Sequence, residues 1–255
     1  MSPSSRSAKR APSPEAATLG EPSYVWRSGQ ERRLDLIRRH VPLEDARILD
    51  VGCGIGTYVK RFRQDITDHA FGLDISAKRL AEAGSMKPFL VAGVGEHLPF
   101  RAGTLDAILM NEVIEHVQDD RRTLEECLRA LRPGGHVVIY APNRAYPFET
   151  HGIYLGSRYR FGNVPLVNWL PDGARNKLVP HAKAYWSADM RRLVHGLPAR
   201  VVVHGYVYPG FDNVAHRWPK VARALRRVLY GAEKGWWARF GLSHFLVLRK
   251  NGAGS

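Results

Sequence analysis

A chain of 255 residues that is 44% hydrophobic can bury a sizeable core, and its two cysteines, Cys53 and Cys127, exclude a disulfide-built scaffold and suit a reducing cytoplasm. No uncharged stretch exceeds 11 residues, against the roughly 20 that a membrane-spanning helix needs, so a transmembrane helix is not expected. The formal charge of +14 is unevenly divided: residues 1–150 hold 21 basic and 20 acidic side chains, whereas residues 151–255 hold 17 and 4.

Residues 1–21, rich in Ser, Pro and Ala, predict a disordered tail, with one domain over 22–255 that carries insertions at about 143–185 and 209–240. Leu34, Leu36, Ile37 and Val41, interleaved with arginines, predict a surface helix ending near His40. Strands alternating with helices follow. Ile48–Val51 predicts a buried strand, Thr57–Arg63 a helix, Ala70–Ile75 a second strand, and Ser76 the cap of a helix holding Leu80 and Ala83. Short apolar runs at Phe89–Gly93 and Leu105–Asn111 predict the third and fourth strands, and Asp119–Leu131 an amphipathic helix stopped by Arg132-Pro133-Gly134-Gly135. His136–Ala141 predicts the fifth strand. Beyond the aromatic-rich stretch 143–185, a helix over Ser187–Leu193, a strand over Arg200–Val207, a basic segment over Arg217–Arg239 and a last strand over Ser243–Leu248 complete the chain. The alternation implies an α/β fold with a mainly parallel sheet and helices on both faces.

The richest chemical signal is Asp50-Val51-Gly52-Cys53-Gly54-Ile55-Gly56, glycines at the turn from a strand to a helix, where a ligand can lie against bare backbone. It meets the dinucleotide fingerprint only in part, lacking the final glycine, and a nicotinamide-dependent oxidoreductase stands as the fold-level rival. Asp74, ending the second strand, is placed to accept both hydroxyls of a ribose. Four motifs in this order, Ile48–Gly56, Gly72-Leu73-Asp74-Ile75-Ser76, Leu98-Pro99-Phe100 with Leu105-Asp106, and Leu131–Gly135, resemble the class I S-adenosylmethionine-dependent methyltransferases over residues 48–143. The likeness is to the branch that includes ubiquinone and menaquinone methyltransferases. It implies a Rossmann-like seven-stranded sheet with the last strand antiparallel, and S-adenosyl-L-methionine as cofactor. Carried over position by position, Gly52, Gly54 and Gly56 would line its methionine part, Asp50 would order the loop, Asp74 would hold the ribose and Ile75 would press on the adenine. Gly95 and Glu96 would lie in the adenine loop and Asn111 under the methyl group. Val94 stands where the family commonly has an acidic residue, so adenine N6 would be read by backbone or by Glu96. No metal ligand set is expected.

On the acceptor side His151, two residues after Glu149, and His116, after Glu115, are the candidate catalytic bases, with His181 nearby. Tyr140, Tyr146, Tyr154, Tyr159, Phe161 and Trp169 favour an apolar or planar acceptor, although covering the sheet would also explain them. The expected reaction is methyl transfer to a small-molecule or lipid-like acceptor, with oxygen as the methylated atom. The +13 of residues 151–255 motivates an RNA methyltransferase as the rival, disfavoured because the Asn-Pro-Pro-Tyr type of motif is replaced by Asn111-Glu112-Val113-Ile114. A non-catalytic cofactor-binding module is the third reading. Trp218, Val221, Leu225, Val228 and Leu229 share one face of a basic helix that could rest on an anionic membrane, but packing of that face onto the protein's own sheet is the commoner use.

Overall fold

The computed structural model describes residues 25–252, and the tail expected at 1–21 lies outside them. Helix α1 (Ser28–His40) leads into strand β1 (Ile48–Val51), all four of whose residues are buried because the strand lies between two parallel neighbours. These are β2 (Ala70–Asp74) and β4 (Leu105–Asn111). With β3 (Leu90–Ala92), β5 (Leu131–Pro142), β10 (Ala199–Val207) and β11 (Ser243–Lys250) they form a seven-stranded sheet in the order β10-β11-β5-β4-β1-β2-β3. Strand β11 runs antiparallel to both β5 and β10, and the other pairs are parallel. This is the Rossmann-like α/β fold expected from the alternation.

Side chains alternate across the strands, so each face of the sheet has its own core. Leu49, Val51, Ile108, Met110, Val137 and Ile139 meet Leu124, Cys127 and Leu128 of helix α4 (Asp120–Ala130) and Met190 of helix α6 (Ser187–Val194). Ile48, Leu109, Val138 and Tyr140 meet Leu34 and Ile37 of α1 and Tyr58, Val59 and Phe62 of helix α2 (Thr57–Asp65). Tyr140, named above among the aromatics favouring an apolar acceptor, is thus a core residue of β5. Helix α4 starts where Asp119 accepts the Arg122 N–H at 2.8 Å, a cap worth about 1 kcal/mol. The Arg132–Gly135 stop is present but lies inside β5. Leu131 pairs with Leu105 and His136 with Ala107, so those four residues loop out between two paired stretches.

The region after Pro142 holds short strands β6 (Phe148–Glu149), β7 (Ile153–Leu155), β8 (Arg158–Arg160) and β9 (Val164–Pro165) and helix α5 (Asp172–Leu178). They close over a small apolar cluster of Ile153, Val167, Val179 and Ala182. The second expected insertion holds helices α7 (Asp212–Arg217) and α8 (Pro219–Ala232) and a short turn at Trp236–Phe240.

Candidate functional site

At the carboxyl end of β1 the chain must turn sharply, and Gly52, Gly54 and Gly56 all adopt the left-handed backbone that side chains disfavour, with φ of 73°, 57° and 80°. A Cβ on Gly52 would stand 2.4 Å from Val113 Cγ2. Asp74, at the end of β2, ties this turn in place: the Gly54 N–H donates to its Oδ2 at 2.7 Å and the Ser76 N–H to its Oδ1 at 2.8 Å. A carboxylate has about four acceptor positions, so two remain for a ligand. Asp50 is buried beneath the same turn. Burial, with the neighbouring charge of Asp74, pushes its carboxyl well above the ordinary range.

Gly52 and Asp74 border a cleft of about 1160 Å³, whose wall does not include Asp50 or Gly54. Of the residues expected from the sequence, Gly52, Asp74, Ile75, Gly95, Glu96 and His116 line it, together with Val113, Glu115 and the stretch Val179–Lys183 from the insertion. Ile75 is 59% exposed, an apolar shelf beside Asp74. Glu96 Oε1 accepts the backbone N–H groups of Gln118 and Asp119 at 2.9 and 3.3 Å, bracing the loop before α4. Gly56 faces elsewhere, lining a separate hollow with Trp26, Lys60 and Arg61. Asn111 is absent from the wall, and its Oδ1 accepts from Arg33 Nη1.

The acceptor end is built on charge. Glu115 is buried in full, and neither carboxylate oxygen has a hydrogen-bond partner. His151 Nε2 stands 3.6 Å and His116 Nε2 3.9 Å from Glu115 Oε1, and the two imidazoles meet edge to face at 5.4 Å. The other nitrogen of His151 lies 2.9 Å from Glu149 Oε1, and Arg175 Nη2 donates to Glu149 Oε2 at 2.8 Å. Burial alone would lower the His151 value, but the two flanking carboxylates override it and hold the imidazolium up to about 10. Glu149 is pulled down to about 2 against its own burial by His151 and Arg175. Burial pushes Glu115 up.

His116 is in the opposite state. Burial lowers its value below the ordinary 6.5, so it is neutral at pH 7. Its Nδ1 lies 3.1 Å from the His181 carbonyl and must donate there, which leaves the lone pair on Nε2. His181 in turn donates Nε2 to the His151 carbonyl at 3.2 Å. Thus His116 can take a proton at neutral pH, while His151, already protonated and absent from the cleft wall, cannot. Glu115, His116 and His151 also present one ligand atom each within 4.8 Å of one another, a donor set that could hold a divalent cation.

Sequence reasoning missed three residues here. Arg33 donates to Asn111, to Glu112 Oε1 at 2.7 Å and to Ser243 Oγ at 3.0 Å. Arg175 is 1% exposed and also donates to the Ala182 carbonyl. Glu115 was seen only as the neighbour of His116.

Residues 49–139 match the family described as "Methyltransferase domain". A ubiquinone biosynthesis O-methyltransferase of Aromatoleum aromaticum is 32% identical over 140 residues, covering 52% of this chain and 59% of its own. One from Xylella fastidiosa is 30% identical over 119 residues, covering 44% and 48%. The chain therefore spans about half the length of these curated relatives. An S-adenosylmethionine-dependent methyltransferase of Mesorhizobium loti shares the fold with a TM-score of 0.57 at 19% identity, over 85% of this chain and 96% of that one. The 4+2 cyclase SpnF does so equally, with a TM-score of 0.57 at 17% identity over 91% and 85%, so the fold by itself does not choose the reaction. Residues 49–139 thus match a methyltransferase domain, and the four motifs in order, the glycine turn tied to Asp74 and the strand order support the resemblance to the class I S-adenosylmethionine-dependent methyltransferases.

Proposed function

We propose that the protein transfers a methyl group from S-adenosyl-L-methionine to a hydroxyl oxygen of a small, largely apolar acceptor, with His116 as the proton acceptor. The observation that carries this reading is the neutral His116, its lone pair on Nε2, in the same cleft as the glycine turn and Asp74. The fit of the cofactor rests on Gly52, where a Cβ would collide with Val113, on the two acceptor positions left on Asp74, and on the exposed Ile75 shelf. Asp74 would hold the ribose, Ile75 would contact the adenine, and Asp50, buried beneath the turn, would order the loop. The bound cofactor supplies a methyl group made electrophilic by its sulfonium.

The chain's own residues then position and deprotonate. Leu73, Val113, Val179, Pro180 and Ala182 present apolar surface to an acceptor. With the cofactor held there, His116 Nε2 would take the hydroxyl proton as the acceptor oxygen accepts the methyl group, so that a methyl ether and S-adenosylhomocysteine would be the products. Proton transfer to a positioned base contributes typically 100- to 10,000-fold. His151 orients rather than reacts: its imidazolium compensates the buried charge of Glu115 and so fixes the wall against which His116 stands. The relatives named for ubiquinone biosynthesis O-methylation support oxygen and a quinone-like ring. Incubation with methyl-labelled cofactor, a panel of phenolic and catecholic acceptors and fractionated cell extract tests this. A labelled methyl ether is the expected product, and label found only on nitrogen, carbon or RNA would refute it.

A further inference from the structure

Helix α8 should hide its apolar stripe, because it is strongly amphipathic and packing against the sheet would bury that stripe. The structure does so only in part: Leu225 and Leu229 are half-buried, and the rest of the stripe faces outward. Only Ala222 is fully buried, with Arg226 drawn inward to Asp212 at 3.2 Å and to the Gly210 carbonyl at 2.8 Å. Trp218, Val221 and Val228, three to seven residues apart on one side, are exposed, Val228 at 68%. Lys220, Arg223 and Arg227 flank that stripe and are exposed too. Among the described residues, no carboxylate lies within ion-pair distance of these three or of Lys234. The turn that follows adds Trp236 and Trp237, the latter 63% exposed, with Arg239 over the Trp236 ring at 5.4 Å. The one acidic residue of Arg217–Arg239, Glu233, is already engaged by Arg32 and the Tyr208 N–H.

We propose that this face, α8 together with the Trp236–Phe240 turn, rests on an anionic lipid bilayer. The arrangement is an outward apolar stripe, tryptophans at its ends and cations beside it, which is what an interfacial helix needs to sink its apolar side chains to the acyl boundary while its cations meet lipid phosphates. Nucleic acid would use the cations but would gain little from exposed valines. No helix among the described residues is long and apolar enough to cross a membrane, so contact is from one side. The proposal is independent of the acceptor chemistry, since none of these residues lines the cleft.

The test is co-sedimentation of the full chain with phosphatidylcholine vesicles, with and without phosphatidylglycerol, over a salt series. The wild type is expected to pellet with the anionic vesicles alone and to be released as salt rises. Lys220→Glu/Arg223→Glu/Arg227→Glu should weaken partition at least about 100-fold, at roughly 5-fold for each basic residue lost. Val221→Ser/Val228→Ser should also weaken it, at unchanged net charge and unchanged S-adenosylhomocysteine affinity. Both sets change exposed positions, and circular dichroism checks that they fold. A wild type that stays in the supernatant at low salt would overturn the idea. So would valine variants that pellet normally, or transfer RNA that strips the wild type from vesicles and binds the valine variants as well as it binds the wild type.

Discussion

Removing the Asp74 carboxylate separates two roles that the structure gives it. In Asp74→Ala the N–H groups of Gly54 and Ser76 lose acceptors at 2.7 and 2.8 Å, and the two remaining acceptor positions, assigned to the ribose, disappear. Hydrogen bonds to a charged group are worth about 1.5–3 kcal/mol each, but water enters the space left by the side chain, so the expected loss of binding is about 2–4 kcal/mol. That is about 30- to 700-fold in Kd. Asp74→Asn keeps the size and one acceptor oxygen and should lose less. The loop role is read without ligand: both variants should melt lower than the wild type, the alanine variant by more. Titration calorimetry with S-adenosylhomocysteine reads the ligand role. If Asp74→Ala lowers the melting temperature yet binds S-adenosylhomocysteine like the wild type, Asp74 only braces the turn and the ribose assignment is wrong.

Four further outcomes follow from the geometry. His116→Gln should lower turnover about 100-fold or more while cofactor affinity stays near wild type, and wild-type turnover should fall with acid only below the ordinary imidazole range, because burial lowers His116; equal turnover would remove it as the base. Because the folded His151 is raised to about 10, its stabilising contribution is full below the unfolded value of 6.5 and is lost as pH rises toward 10. Urea midpoints of the wild type should therefore fall between pH 7 and 10, and those of His151→Gln should start lower and fall less; parallel curves would contradict the ion-paired state. Gly52→Ala should abolish cofactor binding, since its Cβ meets Val113 at 2.4 Å at a φ of 73°. Chelator should leave turnover unchanged, and a loss restored by a divalent cation would replace the proton route with a cation held by Glu115, His116 and His151.

The sheet was legible because its signals are local: apolar runs of strand length, caps such as Asp119, and glycines at turns. The glycine turn and Asp74 were legible for the same reason, as they sit at fixed offsets from β1 and β2. The acceptor end was not. His151 was correctly noticed beside Glu149, but its charge state depends on Glu115, 36 positions away in the sequence, and on Arg175 fixing Glu149. Arg33 reads as one more arginine in a basic helix until Asn111, Glu112 and Ser243 converge on it. Helix α8 shows that an amphipathic pattern predicts a face but not what covers it. The residues that carry a pattern are local, whereas burial is decided by the elements that arrive later in the chain.

The Arg33 knot also governs where this chain can be divided. Directly after strand β4 stands Glu112, a non-glycine residue held at a φ of 57°, and its carboxylate is kept ionised, against its burial, by a helix that begins 20 residues before β1. The Tyr140 hydroxyl and ring close on Arg33 from β5, and Ser243 from the last strand. A fragment trimmed to residues 49–139 would therefore keep the glycine turn but strip the carboxylate of its only arginine partner among the described residues. It would leave a charge facing the floor of the sheet at the point where the acceptor wall begins. Minimal versions of this domain should start ahead of Ser28 and run through Lys250, with the preceding helix treated as part of the catalytic scaffold rather than as a leader to be removed.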